Sequence, residues 1–262
     1  ETTIFLPDSL SGLRNPEYLA YNSGNNTVFV SGEGSDCIIV LDGVTSRKVA
    51  RILIPGGAGR MCYNTQDNKI YCASDGSDSV YVIDAAANRV ITAIRVENSP
   101  ADICYNPIED KVYCTCDLGV SVIDCEADSV IATISLGSET GLLCYDSVGN
   151  KLYCTVQSSE EVAVIDCRSD SLLTTIYLAD IGFGDIVYNN ISNKVYCSDK
   201  REEEVAVIDC RGDSLITWVW VGDGPNALCF NPQENKVYVA DERSDEIDII
   251  SGAGDTLITF FE

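Results

Sequence analysis

Thirteen cysteines and no histidine bound the chemistry open to this 262-residue chain. Without histidine there is no Ser-His-Asp triad, no Cys-x-x-Cys-His haem attachment and no imidazole-held zinc or copper. The cysteines are periodic. Cys62, Cys104, Cys144 and Cys229 share one position, and Cys72, Cys114, Cys154 and Cys197 share a second, ten residues further on. In a hairpin centred on the intervening turn, Cys62–Cys72, Cys104–Cys114 and Cys144–Cys154 are candidate cross-strand disulfides. Ala20, Val30, Val187 and Val239 hold the same two places in other copies, so the thiols read equally as small buried hydrophobes. The sequence supports both readings, and the odd count leaves at least one thiol unpaired within the chain. Cys125, Cys167 and Cys210 form a third set, while Cys37 and Cys116 stand alone. Cys114-Thr115-Cys116 has the look of a soft-metal pair, but no second pair supports it.

The carboxylates are also periodic. Asp42, Asp84, Asp124, Asp166 and Asp209 recur at one place, with Ser251 in the sixth copy. A catalytic acid is needed once, whereas a turn residue is needed in every copy. These side chains are therefore read as acceptors for backbone amides two residues on. Propeller glycosidases use two carboxylates, but nothing singles out a pair among 41 acidic residues. The acidic loops Asp75–Asp78 and Asp241–Asp245 suggest calcium only weakly, because neither has the 12-residue calcium-loop spacing. No catalytic residue, metal or cofactor is expected, and the chain is expected not to be an enzyme.

The elements that position these residues come in six copies. Tyr21-Asn22, Tyr63-Asn64, Tyr105-Asn106, Tyr145-Asp146, Tyr188-Asn189 and Phe230-Asn231 mark them, at intervals of 42, 42, 40, 43 and 42 residues. In the second copy, β-branched and aromatic runs at 60–63, 69–73, 80–83 and 90–96 are separated by turn formers. A period near 40 with four strands per copy is a propeller-blade signature. The expectation is a single all-β domain: a six-bladed β-propeller of four-stranded antiparallel blades near 16–57, 58–99, 100–139, 140–181, 182–224 and 225–262. The recurring Tyr63, Tyr71, Tyr105, Tyr113, Tyr145, Tyr153, Tyr188 and Tyr196 are expected to pack blade on blade.

These copies resemble the YVTN β-propeller repeat of bacterial and archaeal surface proteins, across residues 16–262. The signature tetrapeptide has drifted, as in Tyr71-Cys72-Ala73-Ser74 and Tyr238-Val239-Ala240-Asp241, while the flanking Asn-Lys and Val-Ile-Asp fit better. The resemblance implies an extracellular or cell-surface propeller and implies no enzyme. The net charge of −24 excludes a nucleic-acid stripe and disfavours anionic membranes. No run reaches the ~18 apolar residues of a bilayer span. The chain starts at Glu1 rather than Met, which fits a removed leader better than a trimmed start.

The ends hold one strand too many. Residues 1–8 align with residues 173–180, a fourth strand, so an extra N-terminal strand precedes copy one. The outer place of blade six is already claimed by residues 256–262, giving twenty-five strands for twenty-four places. Three resolutions are open: a fifth strand on blade six, a dangling end, or transfer of one terminal strand to another molecule, since an apolar edge strand is a template for another chain. Thr2, Thr3, Ile4, Phe5 and Leu6, and Leu257, Ile258, Thr259, Phe260 and Phe261, are the candidate assembly strands. The leading expectation is a non-enzymatic structural protein that assembles with itself by exchange of a terminal strand, with other surface proteins or glycans as further candidate partners. The alternative is a ligand- or carbohydrate-binding module using the variable loops at one face, where Arg60, Asp102 and Asp185 hold equivalent positions.

Overall fold

The computed structural model describes residues 13–32 and 34–261. The proposed N-terminal strand, residues 2–6, lies outside the described residues. The chain is all-β, with six four-stranded antiparallel sheets, each in the simple order first to fourth strand. This is the expected six-bladed propeller class. Among the described residues there is no α-helix, only two 3-10 turns at Asp75–Ser77 and Gln157–Ser159. Two compact units, residues 1–135 and 136–262, hold three blades each.

Blade two shows how sequence becomes structure. Its strands are Met61–Asn64, Lys69–Ser74, Ser79–Asp84 and Arg89–Arg95. Both hairpin turns open on a side chain that accepts backbone amides. Asn64 Oδ1 takes the amides of Gln66 and Asp67 at 2.8 and 3.0 Å, and Asp84 Oδ1 those of Ala86 and Ala87 at 3.0 and 2.9 Å. Both turns close on an Asn in the left-handed region, Asn68 and Asn88, each at φ 53. Asn and Asp tolerate that conformation because a short polar side chain bonds locally. The same opening occurs at Asp42, Asp124, Asp166, Asp209 and Ser251. Recurrence of these acids thus reflects the needs of the turns.

The strand-one tyrosines lock the first turn. Tyr63, Tyr105, Tyr145 and Tyr188 each donate to the Asn or Asp five residues on, at 2.7–3.1 Å. In every blade the register slips by one residue between strands three and four, as at Val82/Ile83 and Val207/Ile208. Such bulges increase twist.

Apolar cores lie between successive blades within each unit. Phe29, Ile38, Ile70, Cys72 and Ile83 fill the first junction, and Tyr71, Val80, Val112, Cys114 and Ile123 the second. In the second unit, Tyr153, Val162, Val195, Cys197 and Ile208 join blades four and five, and Tyr196, Val205, Val237 and Ile250 join five and six.

The disulfide reading is corrected by the strand register. Cys62 stands opposite Tyr71 and Cys72 opposite Met61. Cys104 faces Tyr113 and Cys114 faces Ile103, while Cys144 faces Tyr153 and Cys154 faces Leu143. Each pair is one residue out of register, and strand side chains alternate faces. Cys72 therefore enters the core shared with blade one, and Cys62 packs against that shared with blade three. All thirteen cysteines are thiols, ten of them buried.

Candidate functional site

Arg60 and Asp102 come together at the inner end of blades two and three. Arg60 Nη1 is 3.7 Å from Asp102 Oδ1, and the guanidinium lies over the Tyr18 ring, 5.1 Å from its centroid. Tyr18, Arg60 and Asp102 occupy one position in three consecutive copies, so the contact forms a short chain across blades. Asp102 is buried and also accepts the Ile103 amide at 2.8 Å. Asp185 holds the equivalent place in blade five. Its Oδ1 accepts the Ile186 amide at 2.8 Å and its Oδ2 the Leu228 amide at 2.9 Å, tying blade five to blade six. All three proposed ligand-face residues are engaged in holding neighbouring blades.

A second arrangement was not apparent from sequence. In blades two, four and five the lysine and tyrosine of a Lys-x-Tyr on strand two clamp an aspartate in the next blade. Lys69 Nζ and Tyr71 Oη donate to Asp128 at 3.0 and 2.8 Å. Lys151 and Tyr153 donate to Asp213 at 2.7 Å each. Lys194 and Tyr196 donate to Asp255 at 2.6 and 2.9 Å. The same ammonium groups reach the carbonyls of Cys125, Cys210 and Gly252. Burial, reinforced by hydrogen-bonded neighbours, pushes the Tyr71, Tyr153 and Tyr196 phenols far up, so they donate at any working pH. Asp128, Asp213 and Asp255 all sit at positive φ as the closing residue of the strand three-to-four turn. The available signal was a Lys-x-Tyr followed about sixty residues later by that Asp, a spacing longer than one repeat.

The first junction departs from this pattern. Blade one has Thr27-x-Phe29, and the closing residue of blade two is Asn88. Thr27 Oγ1 and Asn88 Oδ1 are buried without a hydrogen-bond partner.

Blade six gathers acids in its junction with blade five. Asp248 Oδ2 accepts the Gly222 amide at 2.8 Å, while Asp248 Oδ1, both Asp241 oxygens and Ser244 Oγ are buried and unpartnered. Burial, then the charges of Asp248 and Glu246, raise the Asp241 carboxyl to about 7. Among the described residues, no three His, Cys, Asp or Glu side chains are placed to hold a metal ion.

The thiols are correspondingly quiet. Burial pushes Cys72 and Cys210 up to about 12 and Cys62 well above the ordinary thiol range. Cys116, beside the Cys114 thiol, is lowered instead, but it is buried.

No protein-family model matches the chain, and no curated protein matches it. Among solved structures it is similar to a Kuenenia stuttgartiensis hydrazine synthase chain, with a TM-score of 0.79 at 16% identity, covering 95% of this chain and 80% of that one. The likeness is one of fold. At that identity it carries no activity, substrate or partner across. No described helix is long and apolar enough to cross a membrane.

Proposed function

We propose that this chain is a non-enzymatic structural propeller of the cell exterior, of the YVTN repeat type, that self-associates through its terminal strands. The observation that carries the reading is the outer strand of blade six, Thr256–Phe261. It is exposed along its whole length and, among the described residues, pairs with Glu246–Ser251 alone. Leu257, Ile258, Phe260 and Phe261 are 41–58% exposed. An apolar edge strand recovers buried area and main-chain hydrogen bonds when a further strand pairs with it. Residues 2–6 of another copy are the proposed donor.

The ligand-face alternative has less support, since Arg60, Asp102 and Asp185 already tie blade to blade. Deleting residues 1–8 and comparing assemblies by sedimentation and negative-stain microscopy tests the proposal. Folded, unassembled protein is expected; assembly unchanged by the deletion rejects strand exchange.

A further inference from the structure

Asp241 and Asp248, each 2% exposed, are aspartates that the turns and clamps do not account for. Both Asp241 oxygens, Asp248 Oδ1 and Ser244 Oγ are buried without a hydrogen-bond partner. They gather around Gly222 of the preceding loop. Its amide donates to Asp248 Oδ2 at 2.8 Å. A Cβ added there would run into Ser244 Oγ and would stand 2.9 Å from Glu246 Oε2 and 3.1 Å from Asp241 Cβ, so glycine leaves room where these groups converge. Among the described residues, no lysine or arginine pairs with either aspartate, and Arg243 is held by Asp223 at 3.1 Å.

Comparison with the other blades shows what is unusual here. Asp199 holds the place of Asp241 in blade five, where its Oδ1 accepts the amides of Gly182 and Arg201 at 2.8 and 3.0 Å. In blade six the equivalent Arg243 amide turns to the Asp223 carbonyl at 3.0 Å, and Asp241 is left without a donor. Asp248 stands opposite Val239, at a place that the other blades fill with Ile39, Tyr81, Ser121, Ala163 and Ala206. A charge occurs there in one copy of six. Turn acids recur with the repeat, whereas a ligand is needed once. Two neighbouring buried carboxylates without a counter-charge are costly, and a cation removes that cost.

We propose that Asp241 and Asp248 bind a calcium ion, with Ser244 Oγ beside them and water completing the shell. Carboxylate and hydroxyl oxygens are hard donors, which suit calcium, magnesium or manganese over soft metals. An irregular donor set suits calcium, whose coordination is flexible, better than magnesium, which demands a near-ideal octahedron. Two carboxylates balance the charge of the dication. The donors come from Lys236–Asp241, Glu246–Ser251 and the loop between them, so no continuous calcium-loop spacing marks them in the sequence. The ion would fasten blade six to the Gly222 loop of blade five, and it does not depend on strand exchange.

The test titrates chelator-treated full chain with calcium chloride at pH 8 by calorimetry, and follows melting in EDTA and in calcium. Asp241→Asn and Asp248→Asn keep the side-chain shape and remove the charge. Asp245→Asn, at an exposed position of the same loop, controls for binding by the acidic surface. The wild type should bind one calcium with a Kd of about 10⁻⁴–10⁻³ M, and each buried variant should weaken this about 10-fold or more. Asp245→Asn should leave it nearly unchanged. Calcium should raise the melting temperature of the wild type by mass action and leave that of Asp241→Asn where it stands in EDTA. Circular dichroism in EDTA confirms the folds, and the wild-type titration stands without the variants. No calcium-dependent rise in the wild type, an equal rise in Asp241→Asn, or an equal loss of binding in Asp245→Asn overturns the inference.

Discussion

Tyr153 and Asp213 lie 60 residues apart in sequence, and their side chains meet at 2.7 Å across the junction of blades four and five. Lys151 reaches the same carboxylate from two residues before the tyrosine. The three groups are largely buried, so their attraction is weakly screened. This arrangement pins the outer turn of one blade to the second strand of its neighbour. Apolar contacts alone would allow these surfaces more freedom to slide.

Removing the acceptor should cost more than removing one donor. Asp213→Ala leaves a largely buried ammonium without its charge partner and is expected to cost about 3–5 kcal/mol. Tyr153→Phe removes one charge-assisted bond and should cost about 1.5–3 kcal/mol. Urea denaturation checks both, and a reversed order would contradict the clamp.

The first junction can be repaired. Thr27→Lys, Phe29→Tyr and Asn88→Asp together recreate the clamp where two oxygens now lack partners. The triple variant should gain about 1–3 kcal/mol. Asn88→Asp alone should destabilise, because it brings a carboxylate with no opposing lysine or tyrosine. Melting curves of the single and triple variants at one pH decide this.

Asp241 makes stability depend on pH. Its folded-state carboxyl is raised to about 7, and that of Asp248 is also raised, so the folded form holds protons more tightly than the unfolded. The associated stability is present below the unfolded value near 4 and is lost as pH rises to about 7. Asp241→Asn should therefore leave the melting temperature nearly unchanged at pH 4 and raise it by about 4–8 °C at pH 8. A gain of equal size at both pH values would remove titration as the cause.

Thiol reactivity should follow burial. Cys229 is exposed, Cys62 and Cys104 are half-buried, and the others are buried. One thiol should react rapidly with a disulfide reagent in the native protein, and thirteen after denaturation. Cys229→Ser should remove the fast phase. Fewer than thirteen thiols in the denatured, unreduced protein would reveal disulfides.

The blades were legible from the sequence by itself because their determinants are local. A strand needs alternating β-branched residues, and a tight turn needs Asn or Asp at its opening and closing positions. Both repeat at a fixed period. The recurring aspartates could be assigned to turns on the same ground, since an acid that recurs in five of six copies serves structure. The cysteine pairing was not legible to the single residue it requires. A one-residue offset in hairpin register separates facing thiols from thiols on opposite faces, and only the paired strands settle which applies. The clamps were less accessible still. Lys69 and Tyr71 belong to one blade and Asp128 to the next, and their relation arises only when the apolar faces stack. Local pattern thus determined the blades, while packing between neighbouring blades decided which polar side chains meet.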